Sequence, residues 1–164
     1  MYPLQLSYDG VGERVTRLIA SGFPCEALFT AVFTAERMLR RTLVQLAISA
    51  GFTTDDALRL VRGLVGLDGL RRAWNLYDPR GRSLSEAIGS GNWSILREAV
   101  RTRDEMTSTD RSVSYRKCKS RAAELMRALA DVSDRLIKLY EYDGWSGYRR
   151  RWTSALHTDP KVPK

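Results

Sequence analysis

Few residues in this chain of 164 have side chains suited to chemistry, and they do not converge on one motif. The single histidine, His157, stands near the C-terminus, where a surface role is expected. Cys25 and Cys118 are the only cysteines. Two cysteines and one histidine without ligand spacing make neither a zinc site nor a disulfide scaffold. No glycine-rich loop with its lysine could cradle a phosphate. No paired-histidine motif offers a metal site, and no Gly-x-Ser-x-Gly elbow presents a nucleophile. Gly63, Gly66 and Gly69 recur every third residue but follow no strand, so they match no nucleotide fingerprint. No cofactor and no metal is expected. What remains is the charged and hydroxyl-rich stretch Arg97–Asp110. Arg101, Arg103, Arg111 and Arg116 in and after it are residues that bind phosphate. Read as a sequence alone, Arg103–Asp110 is also a capped turn between two helices, with Thr107, Ser108 or Ser112 as the cap.

The elements that must position this stretch are helical. Val11–Ser21 is a short amphipathic segment ended by Gly22 and Pro24. Glu26–Ala50 carries Leu28, Val32, Ala35, Leu39, Leu43 and Leu46 at spacings of three and four. Phe29, Phe33 and Ile48 widen that face, which predicts burial on two sides. Thr53-Thr54-Asp55-Asp56 opens another helix, because hydroxyls and acids satisfy its free N–H groups. Leu58, Val61, Leu64 and Val65 form its apolar stripe, and a break is expected near Gly66. Asp68–Tyr77 follows, closed by the turn Asp78-Pro79-Arg80-Gly81. Ser83-Leu84-Ser85-Glu86 has capping-box spacing and starts a short helix ending at Gly89 or Gly91. Asn92–Arg103 presents Trp93, Leu96 and Val100. Val113–Tyr142 carries Ala122, Leu125, Leu129, Val132, Leu136 and Tyr140. Arg116, Lys117, Lys119 and Arg121 crowd its first turns, where the helix dipole favours acids. No strand alternation, internal repeat or low-complexity tract is visible. The fold class is therefore all-α, an antiparallel bundle of four to five main helices over residues 1–143. A basic aromatic tail, 144–164, completes the chain.

Arg103–Asp110 resembles the signature of HEPN-type helical domains, Arg-Asn-x-x-x-His, often followed by Thr-Tyr. The resemblance is to the branch that pairs with minimal nucleotidyltransferases, the nucleotidyltransferase substrate-binding proteins. Leu28–Leu43 looks like that branch's aromatic-rich second helix, including an acid at Glu36. Ser83–Gly89 and Trp93 sit where the branch has its short helix before the motif. The similarity covers residues 11–142. It implies a HEPN-like bundle that dimerises, or forms a heteromer with a nucleotidyltransferase-like protein. In active members the motif Arg and His of two protomers cut RNA without a metal. His moves the proton and Arg stabilises charge on the phosphate. Here Arg103 takes the Arg position, Asp104 the Asn position and Ser108 the His position. Thr109 and Asp110 take the Thr and Tyr positions. Ser108 cannot shuttle a proton at neutral pH, and Asp104 and Asp110 place negative charge where RNA would lie. The expectation is a catalytically degenerate domain that binds RNA, a nucleotide or a nucleotidyltransferase partner, as in toxin–antitoxin or defence systems. Two alternatives stand beside it. One is a purely structural helical interaction module. The other is a weak metal-independent endoribonuclease that uses Asp104 or Glu36 as its base.

Charge supports a polyanion partner. There are 27 Lys+Arg against 19 Asp+Glu, a net charge of +8. Before position 101 the count is 12 basic to 10 acidic; from position 101 onward it is 15 to 9. The surplus lies at the start of the last long helix, with Arg116, Lys117 and Lys119, and in the tail, with Arg149, Arg150 and Arg151. Counterion release makes such clusters bind RNA. The tail has two readings. Trp145, Tyr148 and Trp152 with the arginines can stack on bases and pair with phosphates. Alternatively the aromatic side chains dock on the bundle while the arginines stay in water. The longest apolar runs fall short of the roughly 18 residues that a membrane span needs. Met1-Tyr2-Pro3-Leu4 lacks the basic and apolar regions of a signal peptide. A cytoplasmic protein with no membrane contact is expected.

Overall fold

The computed structural model describes residues 8–108 and 112–149. They form seven helices: α1 (Tyr8–Ala20), α2 (Pro24–Ser49), α3 (Thr54–Arg62), α4 (Gly66–Tyr77), α5 (Leu84–Ile88), α6 (Ser90–Thr107) and α7 (Tyr115–Tyr140). No strand occurs among the described residues. The chain divides into two compact units, Met1–Ala35 with Ser90–Val132 and Glu36–Gly89 with Ser133–Lys164. α2 and α7, of 26 residues each, supply a segment to both.

The first unit is built on the pairing of α6 with α7. Asn92 donates to Asp131 at 2.6 Å, Arg121 meets Glu98 at 3.4 Å and Lys117 meets Glu105 at 2.8 Å. Partners rise along α6 as they fall along α7, so the two helices run antiparallel. Cys118, Ala122, Leu125, Leu129 and Val132 repeat at four and three and are all buried. Leu96 and Ala99 of α6, Val11 and Val15 of α1, and Leu28, Ala31, Val32 and Ala35 of α2 are buried in the same unit. The Tyr8 hydroxyl donates to the Met126 carbonyl at 3.1 Å. Phe29 and Phe33 depart from the expectation of burial. They are 38% and 52% exposed, and Phe23 is 51% exposed. A step of one residue turns a helix by about 100°, so Phe29 and Phe33 leave the stripe that Leu28 and Val32 occupy.

The second unit holds the most buried run of α2, with every residue from Thr42 to Ser49 buried. Thr53 caps α3 by accepting from the Asp56 N–H at 3.1 Å. α4 starts at Gly66, where the break was expected, but Val65 is its N-cap and is 85% exposed. Val65 therefore leaves the stripe of Ala57 and Val61, because the chain has already stopped being helical there. The capping box forms at α5: Ser83 accepts from the Glu86 N–H, and Glu86 accepts from the Ser83 N–H. Gly144 lies at φ +81, and a Cβ there would stand 2.5 Å from Met38 Cγ. Only glycine lets the chain after α7 pass so close to α2.

A polar knot lies inside this unit. The Asp78 carboxylate accepts from the Arg80 N–H at 2.8 Å and the Arg82 N–H at 3.0 Å. It also accepts from the Tyr140 hydroxyl at 2.6 Å and from the Arg82 guanidinium at 3.1 Å. Trp74 donates its indole N–H to the Tyr140 oxygen at 3.2 Å. The Arg82 guanidinium also lies over the Tyr140 ring, 5.5 Å from its centroid. Burial alone pushes the Asp78 carboxyl up. The hydrogen bonds from Tyr140, Arg82 and Arg80 outweigh that and hold it below the ordinary carboxylate value. Burial, then the bond to Asp78, pushes the Tyr140 hydroxyl up, so it stays a donor. A depressed folded value means that the carboxylate's stabilisation is present above its unfolded pKa and is lost as pH falls through the folded value. Replacing Asp78 by Ala is expected to cost about 3–5 kcal/mol in urea unfolding at neutral pH. The gap from the unsubstituted protein should narrow below about pH 4. An unchanged midpoint at neutral pH would show that the knot carries no stability.

Candidate functional site

The motif-like stretch lies in the first unit, at the end of α6. Arg103, Asp104 and Thr107 are helical rather than part of a turn, because α6 continues to Thr107. The Arg103 guanidinium pairs with the neighbouring Asp104 carboxylate at 2.8 Å. Ser108 is exposed, and its N–H donates to the Asp104 carbonyl at 3.2 Å as the helix ends. The Thr107 hydroxyl donates to the same carbonyl at 2.9 Å, so it closes α6 instead of opening α7. Ser114 caps α7 by accepting from the Lys117 N–H at 3.2 Å. Ser112, considered for that role, stands two residues before the cap. Thr109, Asp110 and Arg111 lie outside the described residues.

The cations at the start of α7 have in-chain partners. Lys117 pairs with Glu105 at 2.8 Å, and Arg121 pairs with Glu124 at 2.9 Å and Glu98 at 3.4 Å. Arg101 pairs with Glu98 at 2.8 Å and lies 3.7 Å from Glu105. The misfit of Lys117 and Arg121 with the helix dipole is therefore offset by acids on the antiparallel α6. The spacing of Arg101 from Glu98 and Glu105 is visible in the sequence as three and four residues. The cross-helix partners Glu98 and Glu105 are not, since they depend on register. Arg116 and Lys119 are exposed. Glu36 belongs to the second unit and is half-buried on α2.

The described part of the tail belongs to the second unit and packs on α2. Asp143 accepts from the Trp145 and Ser146 N–H groups, both at 2.8 Å, and turns the chain. Arg41 donates to the Trp145 carbonyl at 3.1 Å and to the Ser146 carbonyl at 2.6 Å. The Gln45 amide makes a two-way match with the backbone of Arg149, donating and accepting at 2.9 Å. Arg37 lies over the Trp145 ring at 5.6 Å and Arg41 over the Tyr148 ring at 4.9 Å. Burial pushes the nearby Tyr142 hydroxyl up to about 12, and it donates to the Ser146 carbonyl at 2.8 Å. The docked reading describes Trp145 and Tyr148, whose rings meet the chain's own cations. The Arg149 side chain is exposed. Arg150, Arg151, Trp152 and His157 lie outside the described residues.

Among the described residues, no three His, Cys, Asp or Glu side chains gather to hold a metal ion. None of their helices is long and apolar enough to cross a membrane. No family profile, curated protein or solved structure matches the chain.

Arg103, Asp104 and Ser108 lie together at the C-terminal end of α6, where the Arg103 guanidinium is paired with the Asp104 carboxylate. The Arg103–Asp104 pair is exposed on its acidic side, with Asp104 60% accessible. Arg103→Ala should change stability by less than about 1 kcal/mol. RNA incubated with chelator should be degraded no faster by the unsubstituted protein than by this variant. Faster, Arg103-dependent degradation, read on a gel, would support the nuclease reading.

Proposed function

We propose that this chain is a non-catalytic, HEPN-like helical bundle that works by binding a protein. The partner is a second copy of the chain or a nucleotidyltransferase-like protein. One observation carries this reading: Phe29 and Phe33 stand one turn apart on α2, 38% and 52% exposed. Phe23, immediately before the helix, is 51% exposed. Aromatic side chains so placed supply large contact area and are enriched at interfaces. Ser108 at the family's His position and the internal pairing of Arg103 support binding over catalysis.

A second reading has its own observation. Arg116 and Lys119 are exposed in the first turns of α7. RNA held there would bind through few phosphate contacts, with affinity falling as salt rises.

Sedimentation equilibrium tests the first reading, alone and after mixing with a minimal nucleotidyltransferase. Association is expected in at least one arm, and the double variant Phe29→Ala/Phe33→Ala should weaken it by about tenfold or more. Binding that survives the double variant, or its absence in both arms, would overturn the α2 surface. Filter binding of single-stranded RNA tests the second. Arg116→Ala/Lys119→Ala should lower affinity and flatten the salt slope by about one to two phosphates. No RNA binding at low salt would remove it.

A further inference from the structure

Cys25 and Cys118 stand 93 residues apart in sequence, yet their sulfurs meet at 3.3 Å in the first unit. The Cys25 thiol donates to the Cys118 sulfur, and the Cys118 thiol donates to the Met106 thioether at 3.5 Å. Cys25 is half-buried and Cys118 is fully buried. Each cysteine sits in the first turn of its helix, α2 or α7. First turns lack part of the intrahelical hydrogen bonding and can adjust.

We propose that Cys25 and Cys118 form a reversible intrachain disulfide when the protein meets hydrogen peroxide. The contact has to shorten by about 1.3 Å to reach an S–S bond of about 2.05 Å. Side-chain rotation at two first-turn residues accommodates that change. Cys25, the less buried of the two cysteines, reacts first. The Cys25 sulfur attacks one peroxide oxygen, the O–O bond breaks, and the departing hydroxide takes the thiol proton as water. Cys25 is then a sulfenic acid. The Cys118 sulfur attacks the Cys25 sulfur, the S–O bond breaks, and the hydroxide leaves as water with the Cys118 proton. Two thiols and one peroxide give one disulfide and two waters. Burial first, and then the neighbouring Cys25, push the Cys118 thiol up to about 12. A thiol raised in this way is a poor first nucleophile, which leaves the first step to Cys25.

The product ties α2 to α7 across a long loop and should raise the thermal midpoint of the oxidised protein. Intact-mass spectrometry of the unsubstituted full chain, after a slight excess of hydrogen peroxide, tests the proposal. The expected result is a loss of about 2 Da, reversed by dithiothreitol, with a peptide joining Cys25 to Cys118 in the digest. The variant Cys118→Ser should instead hold Cys25 as a sulfenic acid, trapped as a dimedone adduct. Three results would overturn the proposal. They are gains of about 16 or 32 Da on unlinked cysteines, cross-links only between chains, or no reaction at either sulfur. The mass readout on the natural sequence decides the matter even if the variant fails to fold.

Discussion

The second unit is organised around one buried carboxylate. Asp78 has a fully inaccessible side chain, and charge in such a place is tolerated only when several donors surround it. Those donors come from the turn after α4, from Arg82 before α5 and from Tyr140 at the end of α7. The knot therefore fixes three elements at once. Trp74, among the largest buried side chains, adds its indole N–H to the same oxygen of Tyr140. The chain beyond α7 is placed next: Gly144 clears Met38, and Arg41 and Gln45 take the carbonyl and amide groups of residues 145–149. The first unit has a different origin, the ion-paired register of α6 on α7.

Much of the fold was legible because it rests on local rules. Apolar spacing of three and four marked the helices, and Ser83 with Glu86 and Thr53 with Asp56 marked two starts. Gly66 marked a boundary, and Asp78-Pro79-Arg80-Gly81 a turn, closed by the Gly81 N–H on the Asp78 carbonyl at 3.0 Å. What depended on long-range placement was less legible. Phe29 and Phe33 look like core residues by composition, but their angular position on α2 leaves them exposed. Val65 fitted an apolar period that the chain leaves before reaching it. The capped turn expected at Arg103–Asp110 gave way to a longer α6, and Ser114 took the capping role. The contact of Cys25 with Cys118 has no sequence signal, since no spacing rule links residues 93 apart.

Charge changes meaning once the register is known. The cations at the start of α7 read as a polyanion site in sequence, yet Lys117 and Arg121 face Glu105, Glu98 and Glu124. Half-exposed pairs of this kind are worth little individually and are screened by salt, but each gives a cation an acid within the chain. Arg103 is treated likewise by Asp104. The Trp145 and Tyr148 rings are used by Arg37 and Arg41 of α2. The described surface that stays both large and apolar without such internal use includes Phe23 and Phe29. This is why protein binding, rather than RNA cleavage, is the proposed activity.

That choice between two surfaces can be read directly from backbone amide chemical shifts. The spectrum of the protein would be recorded as its own concentration, or that of a minimal nucleotidyltransferase, is raised. Binding through α2 predicts shifts or broadening at Phe29 and Phe33, with Arg103 and Ser108 unmoved. Changes at Arg103 and Ser108 that leave Phe29 and Phe33 untouched would contradict it.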